Sequence, residues 1–115
     1  MSTKVERKEI RAYANHVMHT DVRPVEVVRK VSDKCVEVRR MFGDIDRENW
    51  APEIMPGGFA GHCTNNREMK TIIIPQPENP VFKIRWSEAK GVWRDAGGSR
   101  YAMNDEPIYY YDYNF

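Results

Sequence analysis

Residues 22–42, VRPVEVVRKVSDKCVEVRRMF, constrain the fold more than any other part of the chain. Val25, Val27 and Val31 alternate with Glu26 and Lys30; beyond a polar Ser32-Asp33-Lys34, Val36, Val38 and Phe42 alternate with Glu37, Arg39 and Met41. Successive side chains of an extended strand point to opposite faces, so a period of two separates apolar from charged residues only on an extended backbone. The pattern predicts a β-hairpin with one buried and one solvated face. Pro24 has no N–H to give to a ladder, which places it at a strand edge or a bulge.

A second hairpin reads as clearly. In VFKIRW, Phe82, Ile84 and Trp86 point inward and Lys83 and Arg85 outward, SEAKG turns the chain, and VWR returns it. KTIII at 70–74 has strand character and PQPENP ends it, Tyr101–Met103 forms a short strand, and a final strand begins near Ile108. In that last strand Tyr109, Tyr111, Tyr113 and Phe115 share one face and Tyr110, Asp112 and Asn114 the other, so the aromatic row closes the core. The N-terminal stretch is ambiguous. Thr3 and Glu6 stand at capping-box spacing and favour a short helix, whereas the looser pattern from Asn15 to His19 suits a first strand near Val17.

About six short strands without alternating helices give a mainly β fold, a small antiparallel SH3-like barrel or curled sheet. Residues 43–69 break every period and form a long loop, of the kind that is functional or flexible in a small domain. With 115 residues, 41% hydrophobic and 30% charged, the chain is sized for a single domain over 1–115.

Eighteen basic residues against 17 acidic ones exclude both a polybasic nucleic-acid sleeve and an acidic nucleic-acid mimic. Cys35 and Cys63 are too few for a secreted disulfide framework, and MSTKVERKEI has no apolar signal core, so a cytoplasmic location with reduced thiols is expected; a Cys35–Cys63 bridge is the alternative under oxidising conditions. No run is long enough to span a bilayer.

Candidate chemistry centres on His16, His19, His62 and Cys63, a set with the nitrogen and sulfur ligands that zinc takes. The spacing departs from zinc patterns, and neighbouring His62 and Cys63 would face opposite ways on a strand, so neither metal nor other cofactor is expected. Cys63 with a histidine base could make a nucleophile, but a half-buried thiol at the loop base is the plainer reading. PGGFAG lacks the Gly-Lys-Ser/Thr ending of a phosphate loop, and Asp44 with Asp46 reads as a solvated loop pair rather than a hydrolase site. No enzymatic activity follows from these residues.

Two binding surfaces remain. In the long loop Trp50, Ile54, Met55 and Phe59, with His62 beside them, form an apolar series without strand or helix period, of the residue types enriched at protein interfaces; the same residues could instead fold back as a lid. On the second hairpin Lys83, Arg85, Lys90 and Arg94 with Trp93 interleave basic and aromatic groups, as nucleic-acid-binding barrels do; against that, sheet faces are ordinarily coated with alternating charge.

PGGFAGHCTNN at 56–66 and YYYDYNF at 109–115, joined by the IRW…GVW hairpin, resemble a family of small proteins encoded by bacteriophages and prophage-bearing bacterial genomes. The resemblance covers roughly the last half of the chain, with a weaker echo in the first hairpin, and supplies no catalytic residue. It implies a protein that acts on host machinery, such as a component of a defence system; binding through the 43–66 loop, with Trp50 or Phe59 entering a partner pocket, would then act by occlusion. The second expectation is a small nucleic-acid-binding barrel.

Overall fold

The computed structural model describes residues 8–55 and 62–113, with the side chain of His62 excepted. Six strands close an antiparallel barrel. In chain order they begin with β1 (Tyr13–Val17), which is followed by a two-residue strand, β2 (Val22–Arg23), that pairs with it outside the barrel ring. The ring continues with β3 (Val25–Ser32) and β4 (Cys35–Arg40), the first predicted hairpin. An excursion then carries β5 (Phe42–Ile45), β6 (Ile54–Met55), β7 (His62–Cys63), a 3₁₀ turn at Asn66–Glu68 and β8 (Thr71–Ile74). The ring resumes with β9 (Val81–Ser87), β10 (Val92–Arg94) and β11 (Arg100–Asn104). β11 closes it by pairing along the whole of β1, from Tyr13 opposite Asn104 to Val17 opposite Arg100.

The alternating patterns bury most of what they predict. Val36, Val38, Ile84 and Trp86 point into the core with Ala14, Val25, Trp93 and Tyr101, and Phe82 packs against them. Val31 departs from its expected face. The register shifts between Val27 and Arg29 and again between Lys30 and Ser32, so the inserted residues break the period of two and leave Val28 and Val31 exposed.

The N-terminal ambiguity resolves to strand over Tyr13–Val17, while residues 1–7 lie outside the described residues. The local pattern is weak because β1 owes its form to three neighbours, β2, β3 and β11. Ala14, fully buried, is small enough for this crowded seam.

Two expected strands lie elsewhere than predicted. Residues 71–74 leave the barrel and pair with β5, in a two-stranded ribbon whose register runs Phe42–Ile74, Gly43–Ile73, Asp44–Ile72 and Ile45–Thr71. The C-terminal tail is not a barrel strand either. Over its described residues it makes a single bridge, Tyr110 with Val22, because the ring is already closed by β11 pairing with β1. Among the described residues no helix is long and apolar enough to cross a membrane.

Candidate functional site

Over its described residues the 43–69 stretch is an organised excursion built on side-chain amides and a carboxylate. Asp46 starts its first turn: the backbone carbonyl accepts from the N–H groups of Asn49 and Trp50, and the carboxylate from Glu48 N and Asn49 Nδ2. This is the local capture for which aspartate is favoured in turns. Asp44 is likewise engaged, by Ile45 N at 2.8 Å and Arg47 Nη1 at 3.0 Å. The bond to Arg47 and that to Ile45 hold the Asp44 carboxyl below its ordinary range. The two acids shape the turn.

Asn65 joins the two arms of the excursion. Its Oδ1 accepts from Glu53 N at 2.8 Å, its Nδ2 donates to Ala51 O at 2.8 Å, and its backbone carbonyl accepts from Trp50 Nε1 at 3.2 Å. Cys63 is buried beside it, with Sγ 3.4 Å from Asn65 Oδ1. Next in sequence, Asn66 is buried and reaches the tail: Nδ2 donates to Tyr111 O at 3.0 Å, and Oδ1 accepts from Tyr113 N at 2.8 Å. The two sequence motifs at 56–66 and 109–115 are therefore in direct contact, through one amide side chain.

The tail is a strap. Asn15, outward on β1 but only 2% exposed, clasps its start by donating to Glu106 O at 3.0 Å and accepting from Ile108 N at 3.1 Å. Tyr109 carries Arg23 over its ring at 4.8 Å and lies against Gly43, where an added Cβ would come within 2.8 Å of the ring and 3.0 Å of Pro24. Only glycine lets the β5–β8 ribbon approach the strap so closely. Tyr113 then packs on Trp50 with centroids 5.8 Å apart.

These contacts divide the apolar series into buried and exposed members. Trp50 is 7% exposed, held by Asn65 and covered by Tyr113, so it anchors the excursion internally and is corrected as a partner-facing residue. Ile54 and Met55, at 54% and 61%, face solvent. His62 sits opposite Met55 in the β6–β7 pair, and Phe59 lies outside the described residues. The structure adds residues that periodicity missed. Phe42, Ile72 and Ile74 share the outer face of the ribbon at 44%, 42% and 46% exposure, while Gly43, Ile45 and Ile73 lie on the other.

The basic hairpin also changes. Lys83, Arg85 and Lys90 are exposed and Arg94 half-exposed, but Trp93 is 0% exposed, edge-on to Trp86 at 5.9 Å, and cannot stack on a base. Trp93 faces Trp86 and Tyr101 in register, and all three share the inner face.

At the inner face His16 stacks on Tyr101 at 5.1 Å, with Arg40 within 3.4 Å of both His16 Nδ1 and Tyr101 Oη. Burial and the Arg40 charge lower the His16 pKa. Tyr101 Oη donates to Asp95 Oδ2 at 2.8 Å. Burial, then this bond, push the phenol up to about 12, while for Asp95 burial pushes upward and is outweighed by hydrogen bonds from Tyr101, Ser99, Gly97 and Gly98. An unfolded tyrosine ionises near 10, so Tyr101 contributes stability that is intact below pH 10 and lost as the pH rises through 12. That difference corresponds to roughly 2–3 kcal/mol. Chemical denaturation between pH 9 and about 12 is expected to show a smaller alkaline loss in Tyr101→Phe than in the parent; equal losses would contradict the assignment.

Cys35 and Cys63 are both buried and not joined by a disulfide, one lying in the barrel and one in the excursion. Among the described residues no group of three or more histidine, cysteine or acidic side chains stands close enough to hold a metal ion. Compared with family models, curated proteins and solved structures, the chain matches none.

Proposed function

We propose that this is a phage- or prophage-encoded accessory protein that binds a host protein in the cytoplasm, such as a defence-system component, and blocks it by occlusion rather than by chemistry. The observation that carries this reading is the outer face of the β5–β8 ribbon, where Phe42, Ile72 and Ile74 stand exposed side by side, with Ile54 and Met55 exposed on the same excursion. Apolar side chains on a two-stranded ribbon whose other face packs on the strap present a rigid surface, and its desolvation would drive association. The resemblance of the 56–66 and 109–115 motifs to phage-encoded proteins supports a host partner. The Asn66 clasp between those motifs gives them a shared purpose, holding the excursion in place.

Ile72→Lys with Ile74→Lys tests the reading. The ammonium introduced at position 72 would stand opposite Asp44, so the variant should fold normally, with stability within about 1 kcal/mol of the parent. Capture from host lysate with both immobilised proteins is expected to retain a host protein on the parent and to lose it, by roughly tenfold or more, on the variant. Equal retention by both would overturn the assignment of this face.

A further inference from the structure

We infer that the outer wall of β9, β10 and β11 is a binding site for the phosphate backbone of single-stranded nucleic acid. Arg85 stands in register with Arg94, and Arg94 with Arg100, so three arginines from three adjacent strands form one row. Adjacent strands lie about 4.8 Å apart, which sets the guanidinium stems side by side. Their neighbours Trp86, Trp93 and Tyr101 point into the core, so the arginines point out. Sequence periodicity identified Arg85 and Arg94 but not Arg100, whose strand is too short to show a pattern.

Like charges directly opposite on a sheet destabilise it, and elsewhere this barrel avoids that cost. On the β3–β4 wall Arg29 faces Glu37, with Nε 2.9 Å from its carboxylate, and Arg39 faces Glu26 at 3.3 Å. Lys83 is opposite Glu37 and so belongs to that neutralised wall. Arg85, Arg94, Arg100 and Lys90 have no ion pair among the described residues. The nearest acids in sequence are engaged: Asp95 accepts from Gly97 N, Ser99 N and Tyr101 Oη, and Glu88 is held by Lys8 and Lys34. Gly98, at φ 92°, places no side chain where Arg94 Nη2 would lie 2.9 Å from its Cβ, so the loop leaves the guanidinium room across it.

Hollows flank the row. Lys90, Val92, Arg94, Gly98 and Arg100 line one of about 260 Å³, and Val17, Val92, Ala102 and Arg100 help line a more apolar one of about 310 Å³. A linear polyanion satisfies a row of unpaired arginines, and an unstacked base can enter an apolar hollow beside it, which a duplex does not offer. With Trp93 buried, binding rests on phosphate contacts and is indifferent to sequence. Three or four such contacts predict a log–log salt slope of about −2 to −3.

Fluorescence anisotropy with labelled single-stranded DNA, single-stranded RNA and duplex DNA of mixed sequence, over a sodium chloride series, tests the site. The parent is expected to bind DNA or RNA single strands with that slope, and more tightly than duplex. Arg85→Gln/Arg94→Gln/Arg100→Gln should lose roughly tenfold or more in affinity and most of the slope, with thermal stability unchanged or raised because a like-charge row has gone. Arg29→Gln/Arg39→Gln removes cations from the paired wall and should bind like the parent. Absence of binding, tighter binding to duplex, or equal loss in the two variants would overturn the proposal.

Discussion

Trp93→Ala is expected to strip the barrel of a large share of its stability. Trp93 is fully buried, central in a row with Trp86 and Tyr101 from the flanking strands, and meets the Trp86 ring edge-on. Truncating a core tryptophan costs about 3–5 kcal/mol through lost transfer energy and the cavity left behind. A domain of this size has only about 5–15 kcal/mol of stability in total, so the truncation removes between about a fifth and all of it. Circular dichroism in urea should show the midpoint falling toward zero denaturant. Trp93→Phe fills most of the volume and should keep a cooperative transition. A cooperative, parent-like unfolding curve for Trp93→Ala would show that the barrel interior is packed otherwise.

Ending the chain after Pro107 is expected to release the excursion while the barrel stays folded. The truncation removes the Tyr110 bridge to Val22, both Asn66 bonds to the strap, the Ile108 bond to Asn15 and the Asp112 bond to Asp21. Each such bond stabilises by about 0.5–1.5 kcal/mol net. It also strips Tyr109 from Gly43 and Tyr113 from Trp50. Apart from the Asn15 side chain on β1, the ring has no part in these contacts, and it closes through β1 and β11. Asn66→Ala is the milder version. It leaves Tyr111 O and Tyr113 N without their partners, a loss of about 1–3 kcal/mol carried by the strap and the excursion, and limited proteolysis within 46–70 should quicken accordingly.

The parts of the fold that local alternation specifies were legible in the sequence. β3 with β4, and β9 with β10, bury most of the residues that a period of two assigns to the core, Val31 and Phe42 excepted, because each strand has a dry face and a wet one. Alternation carries no information about which edge a strand will join. KTIII has the composition of a strand and is one, yet it pairs with β5 on the excursion, and the tail alternates without being a strand, since its backbone is taken up by Asn15 and Asn66 side chains. β1 and β11 were faint for the opposite reason: five residues each, stabilised by pairing with each other across 83 or more residues of chain. Of the candidate binding residues Ile54 and Met55 are exposed, whereas the burial of Trp50 and Trp93 depends on Asn65, Tyr113 and Trp86, contacts no residue type announces. Phe42 was misassigned to the core because Met41, whose backbone N–H goes to Pro24 O, ends the barrel pairing and starts the turn into the ribbon.

The central claim is that a self-closed barrel carries a folded excursion, pinned by the C-terminal strap so that Phe42, Ile72 and Ile74 are presented outward. Amide hydrogen exchange on the full chain and on the chain ending at Pro107 tests it directly. Residues 42–45 and 71–74 should be protected in the full chain and lose protection on truncation, while 36–40 and 82–86 remain protected in both. Simultaneous loss of protection in barrel and ribbon would mean that the tail closes the core after all, and unchanged protection of the ribbon would mean that the strap holds nothing.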